Sequence, residues 1–253
     1  MAVDEAILEA VAAGLSPPTV RFYGWEPACI SLGYRQRSDV VDEERRVALG
    51  WDLVRRPTGG RAILHVDELT YSVIAPTGEA RVKGSILESY WRLSGALVVG
   101  LNLLELTTSE AAGDPADKSP AGPACFDAPS NYEITHDSRK LVGSAQVRKK
   151  GVVLQHGTLP LIGDVARLVE ALRFDVEEDR LKMGADLRRQ ATTLTEALGR
   201  EVNFDEAAAA MATGFSRALN LSLVTDSLSA YEVQRASDLK SEKYAAESWA
   251  QRL

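Results

Sequence analysis

The sequence has few of the residues that form disulfides or bind metals: two cysteines and three histidines in 253 residues. Two cysteines cannot build the disulfide framework of a small secreted protein, so we expect a reducing, cytoplasmic compartment. No strong zinc pattern can be written from so few cysteines and histidines, and we expect no metal site. The sequence also lacks a run of about 18 apolar residues, so no membrane-spanning helix is indicated.

The charge pattern disfavours two further classes of protein. The N-terminal segment MAVDEAILEA carries acidic residues and lacks the basic stretch that opens a secretory signal peptide. The formal net charge of −7 argues against general nucleic-acid binding, and an anionic partner would need a local basic patch. With 45% hydrophobic residues, the chain can bury a sizeable core.

The hydrophobic pattern predicts an α+β fold in the first two thirds of the chain and helices in the last third. We expect a single catalytic domain over residues 1–253, with an α+β core over 1–162 and a mainly helical C-terminal part over 163–253. Strands joined by turns at Asp137–Ser138 and Lys149–Gly151 are predicted. A long helix is predicted from Ser85 to Leu103, and a shorter one is expected to use Asp39 as its N-cap.

The segment RRPTGGRAILHVD, from Arg55 to Asp67, is the first candidate site. Two arginines end a predicted strand, and Gly59 and Gly60 follow in a tight turn. Glycine lets the backbone approach a ligand closely, and backbone N–H groups together with arginine can hold a phosphate or an acyl carbonyl. An ordinary hairpin turn is the alternative, because neither a G-x-G-x-x-G nor a Walker A sequence is present.

The two cysteines lie in different surroundings. Cys29, in PACISLG, lies in an apolar run that is typical of a core thiol. Cys125 lies between a predicted mobile loop, about residues 107–124, and the segment FDAP, so its thiol is expected to be accessible. These features alone leave both a catalytic and a non-catalytic role open for Cys125. A basic stretch downstream could favour the thiolate, and its members are Arg139, Lys140, Arg148, Lys149 and Lys150.

Among these basic residues, Lys140 lies inside an alternating strand, RKLVGSAQV, whereas Lys149 and Lys150 fit a solvated turn. A strand lysine that faces a pocket can donate a hydrogen bond to a substrate oxygen as negative charge develops there. The alternative is a solvated lysine on an edge strand.

The three histidines are less informative. His156 is interpreted as a structural residue at the end of a strand, although it could act as a base for Cys125. His65 precedes the end of a strand, where a site-lining role and a structural role are both open. His136 lies in a polar, turn-like run and is expected to be exposed.

Four segments resemble a known family: RRPTGGRAILHVDELTYSVI, CFDAPSNYEI, RKLVGSAQVRKKGVVLQHGTL and EKYAAESWAQRL. They are similar to the lipoate/octanoate transferase and ligase family, and most similar to its octanoyltransferases of the LipM type. The resemblance covers nearly the whole chain. Cys125 and Lys140 stand fifteen residues apart in the sequence, as the nucleophile and the site lysine of that family do.

The resemblance implies an α+β fold with a mixed central β-sheet, shared with biotin protein ligases. It implies transfer of octanoyl from octanoyl-acyl-carrier protein to a lysine of lipoyl domains, such as glycine-cleavage H protein and 2-oxoacid dehydrogenase E2 subunits, without a cofactor. Cys125 would form an acyl-enzyme thioester, and Lys140 would lie at the reacting carbonyl. The implied substrate-binding residues are Arg55, Arg56, Thr58, Gly59, Gly60, Arg61, His65, Gly143, Ser144, Ala145, His156 and Gly157.

Two surfaces are expected from this activity. Apolar residues of the strands between Val54 and Ile74 are candidates for an acyl tunnel. Acyl-carrier proteins and lipoyl domains are typically acidic, so docking should use a local basic cluster and depend on salt. The expected cluster is Arg55, Arg56, Arg61, Arg139, Arg148, Lys149 and Lys150.

The sequence departs from the family pattern at two places. The family usually has His-Asp where this chain has His65-Val66, with Asp67 displaced by one residue, which leaves the role of Asp67 open. The family usually has a strand ahead of the first helix, so either the true start lies upstream or an edge strand is missing.

Three other functions are alternatives to octanoyl transfer from the carrier protein. An ATP-dependent lipoate–protein ligase shares the fold but needs no cysteine, and it usually has glycine where this chain has Arg61. An octanoyl amidotransferase between lipoyl-domain proteins shares both the fold and the nucleophile. A non-enzymatic acyl-binding module would tolerate Cys125→Ser.

Overall fold

The computed structural model describes residues 1–111 and 133–251. In this part of the chain the helices are α1 (Ala2–Ala12), α2 (Glu43–Ala48), α3 (Ile86–Leu103), α4 (Glu177–Gln190), α5 (Leu194–Leu198), α6 (Phe204–Leu219), α7 (Ala230–Leu239) and α8 (Glu247–Ala250). The strands are β1 (Thr19–Tyr23), β2 (Cys29–Leu32), β3 (Asp52–Arg55), β4 (Ile63–His65), β5 (Glu68–Pro76), β6 (Ser109–Ala111), β7 (Glu133–His136), β8 (Arg139–Lys149) and β9 (Val152–Pro160). Short helical turns cover Ser38–Val40, Arg167–Ala171 and Lys240–Tyr244.

The strands form two sheets. The larger sheet has the strand order β1-β5-β9-β8-β7-β6, and all of its pairs are antiparallel. The smaller sheet has the order β3-β2-β4, in which β2 pairs with β3 in parallel and with β4 antiparallel. The predicted α+β fold with mixed strand directions is therefore confirmed, and the parallel pair belongs to the smaller sheet.

The largest core lies where α3 and α6 cover one face of the larger sheet. Leucines of α3 and apolar residues of α6 contact the side chains of β5, β8 and β9. The two helices approach closely because glycines face each other: a Cβ added at Gly214 would lie 2.5 Å from the Gly100 nitrogen. The helix predicted from Ser85 to Leu103 is confirmed, and Ser85 closes a capping box with Glu88 at its start.

Helix α1 is fixed to both the sheet and the C-terminal helices by buried carboxylates. The Asp4 carboxylate accepts hydrogen bonds from Tyr23 Oη at 2.7 Å and Ser72 Oγ at 2.9 Å. The Glu5 carboxylate accepts hydrogen bonds from Lys149 Nζ at 2.8 Å and from Tyr244 Oη at 2.6 Å. These contacts hold the β8–β9 hairpin and the segment after α7 against the same helix.

Several local predictions can be compared with the structure. The turns at residues 137–138 and 149–151 are confirmed, and Asp137, Ser138 and Lys150 have positive φ. Asp39 as N-cap is wrong: the helix begins after Asp42, whose side chain accepts a hydrogen bond from the Arg45 N–H. The predicted loop over residues 107–124 is wrong at its start, because β6 begins at residue 109. The rest of that loop lies outside the described residues.

Two predictions concern the chain as a whole: its organisation as a single domain and its lack of a membrane-spanning helix. The single-domain organisation of residues 1–253 stays a prediction, although the part after residue 163 is helical where it is described. Within residues 1–111 and 133–251, no helix combines the length and the apolar character that crossing a bilayer requires.

Candidate active site

A cavity of about 190 Å³ lies between the two sheets' adjoining strands. For comparison, an engineered apolar cavity of about 150 Å³ holds benzene, so a small organic group fits here. The described residues of its wall come from the turn after β3, from β4, β5, β7, β8 and β9, and from Met1 ahead of α1. They are Met1, Arg56, Gly59, Gly60, Arg61, Ile63, His65, Thr70, Glu133, Lys140, Gly143, Ser144, Ala145, His156, Gly157 and Thr158.

The turn after β3 is shaped by the buried side chain of Arg56. Its guanidinium donates to the Ser31 carbonyl at 2.8 Å, the Gly59 carbonyl at 2.9 Å and the Arg61 carbonyl at 2.7 Å. Gly60 has a φ of 92°, and a Cβ added at Gly33 would lie 1.7 Å from the Gly60 oxygen. The glycines of this region are thus required by the packing of the chain on itself as well as by the cavity.

Arg55 lies outside the cavity wall, although it was predicted to bind substrate. It is fully buried, and its guanidinium donates to the Gly33 carbonyl at 2.8 Å and to the Ala250 carbonyl at 2.8 Å. Since Arg56 is also buried, neither arginine can contact a docked protein. The predicted docking cluster must be corrected in this respect.

His65 lies in the cavity wall with both ring nitrogens occupied. Its Nε2 is 2.7 Å from Ser31 Oγ, its Nδ1 is 2.7 Å from a Glu68 oxygen, and its ring stacks on Trp25 with centroids 4.3 Å apart. The order Ser31–His65–Glu68 is that of a serine–histidine–acid triad. However, Ser31 is fully buried and its Oγ also accepts a hydrogen bond from Arg56, so no substrate can reach that hydroxyl.

The Glu68 carboxylate completes this network. Thr70 Oγ1 donates to one of its oxygens and Thr158 Oγ1 to the other. Thr70 in turn accepts a hydrogen bond from Trp25 Nε1 at 2.8 Å. A buried polar network in which every member is satisfied is rigid, so it fixes this side of the cavity.

His156 lies in the middle of β9, not at a strand end as predicted. It is 5% exposed, and its Nε2 is 2.6 Å from the Oγ1 of Thr58, which is itself buried. Burial lowers the pKa of His156 to about 3, with the neighbouring Asp4 opposing and Arg56 reinforcing the effect. The imidazole is therefore neutral at physiological pH. Thr58 does not line the cavity but holds a residue that does.

Lys140 lies in β8 at the wall of the cavity. It is 5% exposed, so the alternative of a solvated edge lysine is wrong. Its Nζ forms an ion pair with the carboxylate of Glu133, which is buried in the neighbouring strand β7. The β7–β8 pairing is irregular between Ile134 and Thr135, next to this pair. The site thus contains a buried ammonium with a carboxylate as its neighbour.

Ser144 ends a chain of hydrogen bonds that runs through the larger sheet. Tyr71 Oη is 2.7 Å from Ser144 Oγ and accepts a hydrogen bond from Gln155 Nε2 at 2.9 Å. Tyr71 and Ser144 are both paired with Gly157, on opposite sides of β9. A Cβ at Gly157 would lie 2.6 Å from Ser144 Oγ and 2.6 Å from Tyr71 Cε1, so this bond requires glycine there.

The other basic residues of the predicted stretch contact the chain's own carboxylates and carbonyls. Arg148 donates to the Gly84 carbonyl at 2.6 Å. His136, predicted to be exposed, is half-buried and its Nδ1 lies 2.9 Å from the Thr107 carbonyl. Cys125 lies outside the described residues, so the influence of this stretch on its thiol stays a prediction. The ion pairs are Lys149–Glu5, Lys150–Glu9 and Arg139–Glu196.

Cys29, by contrast, is confirmed as a core residue. It is 5% exposed, and burial together with the nearby Asp52 raises the pKa of its thiol to about 12.

The predicted acyl tunnel is only partly supported: of the apolar residues between Val54 and Ile74, Ile63 reaches the cavity wall. Val54 packs in the same core as Cys29.

Sequence reasoning missed several residues that line or support the cavity. Glu68, Thr70 and Ser72 alternate with apolar residues along β5, and Thr158 lies between Gly157 and Leu159 in β9. Because successive side chains in a strand point to opposite faces, this alternation places the polar ones on one buried face. This alternation could have indicated these residues from the sequence. No pattern in the sequence indicated that Lys140 would pair with Glu133.

Comparisons with known proteins agree with this architecture. Residues 1–216 match the family model of the lipoyl protein ligase A/B catalytic domain. An octanoyltransferase LipM of Moorella thermoacetica is 44% identical, with 100% of this chain and 93% of the relative covered. One of Kyrpidia tusciae is 41% identical, with 98% and 92% covered.

A solved structure extends the agreement to three dimensions. It is that of a bipartite lipoate protein ligase and its E2 lipoyl domain from Thermoplasma acidophilum, which matches with a TM-score of 0.82 at 26% identity. The match covers 99% of this chain and 89% of that one. The chain therefore belongs to the lipoyl protein ligase A/B catalytic domain family and, within it, to the octanoyltransferases of the LipM type.

Proposed function

We propose that this protein transfers an octanoyl group from octanoyl-acyl-carrier protein to a lysine of a lipoyl domain, through a thioester on Cys125. The observation that supports it most is the identity of 41–44% with octanoyltransferases over nearly the whole chain. The site agrees with this activity, because one cavity is walled by the glycine-rich turn, Lys140 and the 143–145 and 156–157 segments.

The proposed reaction has two steps. In the first, Cys125 Sγ forms a bond to the octanoyl carbonyl carbon, the carbon–sulfur bond to the carrier breaks, and the carrier's thiol leaves with the proton that Cys125 gives up. In the second, the amine of the acceptor lysine attacks the same carbon and Cys125 leaves as a thiol with a proton from that amine. One thioester replaces another and is then converted to a more stable amide, so ATP is not needed.

Lys140 is proposed to stabilise both tetrahedral intermediates. Its ammonium lies in the cavity wall and is shielded from bulk water, which makes a charge-assisted hydrogen bond to a developing oxyanion stronger than in water. Glu133 forms an ion pair with Lys140 and orients Nζ. Loss of such a donor commonly lowers the rate by ~10²–10³.

The acceptor is proposed to be a lipoyl domain. The solved archaeal ligase of the same fold is described together with its E2 lipoyl domain. After the correction for Arg55 and Arg56, the members of the expected docking cluster at half-buried or exposed positions are Arg61, Arg139, Arg148, Lys149 and Lys150.

Intact-protein mass measurement after incubation with octanoyl-acyl-carrier protein tests the proposal. We expect one octanoyl adduct that hydroxylamine removes and that Cys125→Ala abolishes. Cys29→Ala is the matched control: that thiol is buried and its pKa is about 12, so the adduct must persist. An adduct that depends on Cys29, or no adduct on the unmodified chain, would refute the assignment.

The two enzymatic alternatives have their own assays. An ATP-dependent ligase predicts ATP–pyrophosphate exchange in the presence of octanoate, which a thioester-to-amide transferase does not catalyse. An amidotransferase predicts that octanoylated glycine-cleavage H protein is a better donor than octanoyl-acyl-carrier protein. Parallel assays of both donors at equal concentration separate these activities.

A further inference from the structure

The first two turns of α3 carry an exposed apolar surface, here called the α3 patch. It consists of Ile86, Leu87 and Trp91, which are 55%, 49% and 54% exposed. Leu87 and Trp91 are four residues apart in the helix, so their side chains are neighbours, and Ile86 lies beside them. Scattered apolar residues are ordinary on a protein surface, whereas adjacent ones indicate a site of interaction.

Three cations lie beside the α3 patch and form its cationic rim. Lys83 is exposed in the segment that leads into α3. Arg92 directly follows Trp91 in the helix, and its guanidinium donates to the Lys83 carbonyl. Arg148 reaches the same segment from β8 and donates to the Gly84 carbonyl at 2.6 Å.

Within residues 1–111 and 133–251, none of these three cations forms an ion pair. Arg92 donates to backbone carbonyls, and Arg148 donates to backbone carbonyls, to Ser89 Oγ at 3.0 Å and to Gln146 Oε1 at 3.3 Å. The carboxylate of Glu88 lies in the same turn and is used in the capping box of α3. The rim is therefore positively charged, although the formal net charge of the chain is −7.

The docking cluster expected from the sequence differs in this respect. Its members Arg139, Lys149 and Lys150 form ion pairs with glutamates of the chain itself. An acidic partner would have to displace those glutamates, whereas the partners of Arg148 are neutral. The charge available to an acidic partner is thus found at the α3 patch.

We propose that the acyl-carrier protein docks on the α3 patch and that its acidic side chains contact the cationic rim. This inference rests on the proposed function for the identity of the donor. An apolar centre with an aromatic residue, surrounded by a polar rim, is the usual composition of a protein interface. Complementary charge at such a rim speeds association and selects the partner.

The distance from the cavity favours the carrier over the lipoyl domain, which is also acidic. Arg148 lies three residues beyond Ala145, the last cavity-lining residue of β8, which is about 10 Å in a strand. An acceptor lysine has a four-carbon stem, so its domain must dock closer to the cavity. A carrier holds its acyl group on a longer, flexible prosthetic arm, so its body can bind at this distance.

Steady-state kinetics with octanoyl-acyl-carrier protein test this surface. We expect Trp91→Ala to raise KM for the carrier about ten-fold with little change in kcat, because the residue lies outside the cavity wall. Lys83→Glu should raise KM at low salt, and the effect should shrink as salt screens the rim. Leu181→Ala and Lys182→Glu are the controls at exposed positions of α4 and should leave KM unchanged.

Three results would overturn the proposal. The first is an unchanged carrier KM in both patch variants, once thermal melting shows that they are folded. The second is a rise in KM for the lipoyl domain that equals or exceeds the rise for the carrier, which would assign the patch to the acceptor. The third is a dimer that Trp91→Ala converts to a monomer in sedimentation, which would assign the patch to a second copy of the chain.

A binding measurement separates the docking surface from the proposed reaction. Calorimetric titration of octanoyl-acyl-carrier protein into Cys125→Ala needs no acyl transfer, and adding Trp91→Ala should raise the dissociation constant about ten-fold. If the unmodified chain forms no octanoyl adduct but binding still depends on Trp91, the proposed function fails and the docking surface stands. If the adduct forms but binding ignores Trp91, the docking surface fails and the proposed function stands.

Discussion

Replacing Glu5 by glutamine should change how the stability of the protein depends on pH. Glu5 is 3% exposed in α1, and its carboxylate accepts hydrogen bonds from Lys149 Nζ at 2.8 Å, Lys243 Nζ at 2.5 Å and Tyr244 Oη at 2.6 Å. Burial by itself raises the pKa of Glu5, but these three donors outweigh it and lower the pKa from 4.5 to about 2.

The magnitude follows from the difference between the two pKa values. At about 1.36 kcal/mol for each pKa unit, a folded pKa of about 2 against 4.5 contributes on the order of 3 kcal/mol to stability. Because the folded pKa is the lower one, this contribution is complete above pH 4.5 and is lost as the pH falls toward 2. By linkage, about 2 kcal/mol of it has disappeared at pH 3.

Urea unfolding of the unmodified protein and of Glu5→Gln at pH 7, 5, 4 and 3 measures this contribution. The free-energy difference between the two proteins should shrink by about 2 kcal/mol from pH 7 to pH 3. Glu178→Gln, at an exposed position of α4, is the control and should change the free energy of unfolding at pH 7 far less than Glu5→Gln does. A Glu5→Gln difference of the same size at pH 7 and pH 3 would refute the reasoning.

Two further predictions concern the cavity wall. Gly157→Ala should lower the free energy of unfolding by about 1–3 kcal/mol, because its Cβ would lie 2.5 Å from the Gly143 oxygen. Gly78→Ala is the control and should be nearly neutral, because a Cβ there has open space. Urea unfolding measures the free energy of unfolding of both variants. Glu133→Gln should destabilise by about 3 kcal/mol because it removes the carboxylate beside a buried ammonium, and Glu133→Gln combined with Lys140→Met should recover part of that loss. An additive double-mutant cycle would contradict the second prediction.

The fold could be predicted where local pattern and tertiary packing agree. The helix over Ser85 to Leu103 has a capping box and a long apolar face, and it is found as expected. The N-cap at Asp39 failed because Val41 is extended and forms a bridge with Leu172, so the helix cannot begin before Asp42. That bridge joins residues 131 positions apart, and no local pattern contains such a contact.

The site could be predicted as a set of segments but not as a set of roles. The glycine-rich turn and the strands of Lys140 and His156 do surround one cavity. The arginine pair in the turn was expected to act alike, yet Arg56 shapes the cavity and Arg55 binds the C-terminal segment. Adjacent residues of a strand point to opposite faces, so one of the two had to be directed away from the cavity.

The two cavity histidines show that partners, rather than residue type, decide what a side chain can do in this site. Both are 5% exposed and both line the cavity. His65 has Ser31 on one nitrogen and Glu68 on the other, so its ring is fixed but has no nitrogen left for a ligand. His156 has Thr58 on one nitrogen, and within residues 1–111 and 133–251 no hydrogen bond is found at the other. Of the two, His156 is therefore the one whose ring keeps a nitrogen for another group in the cavity.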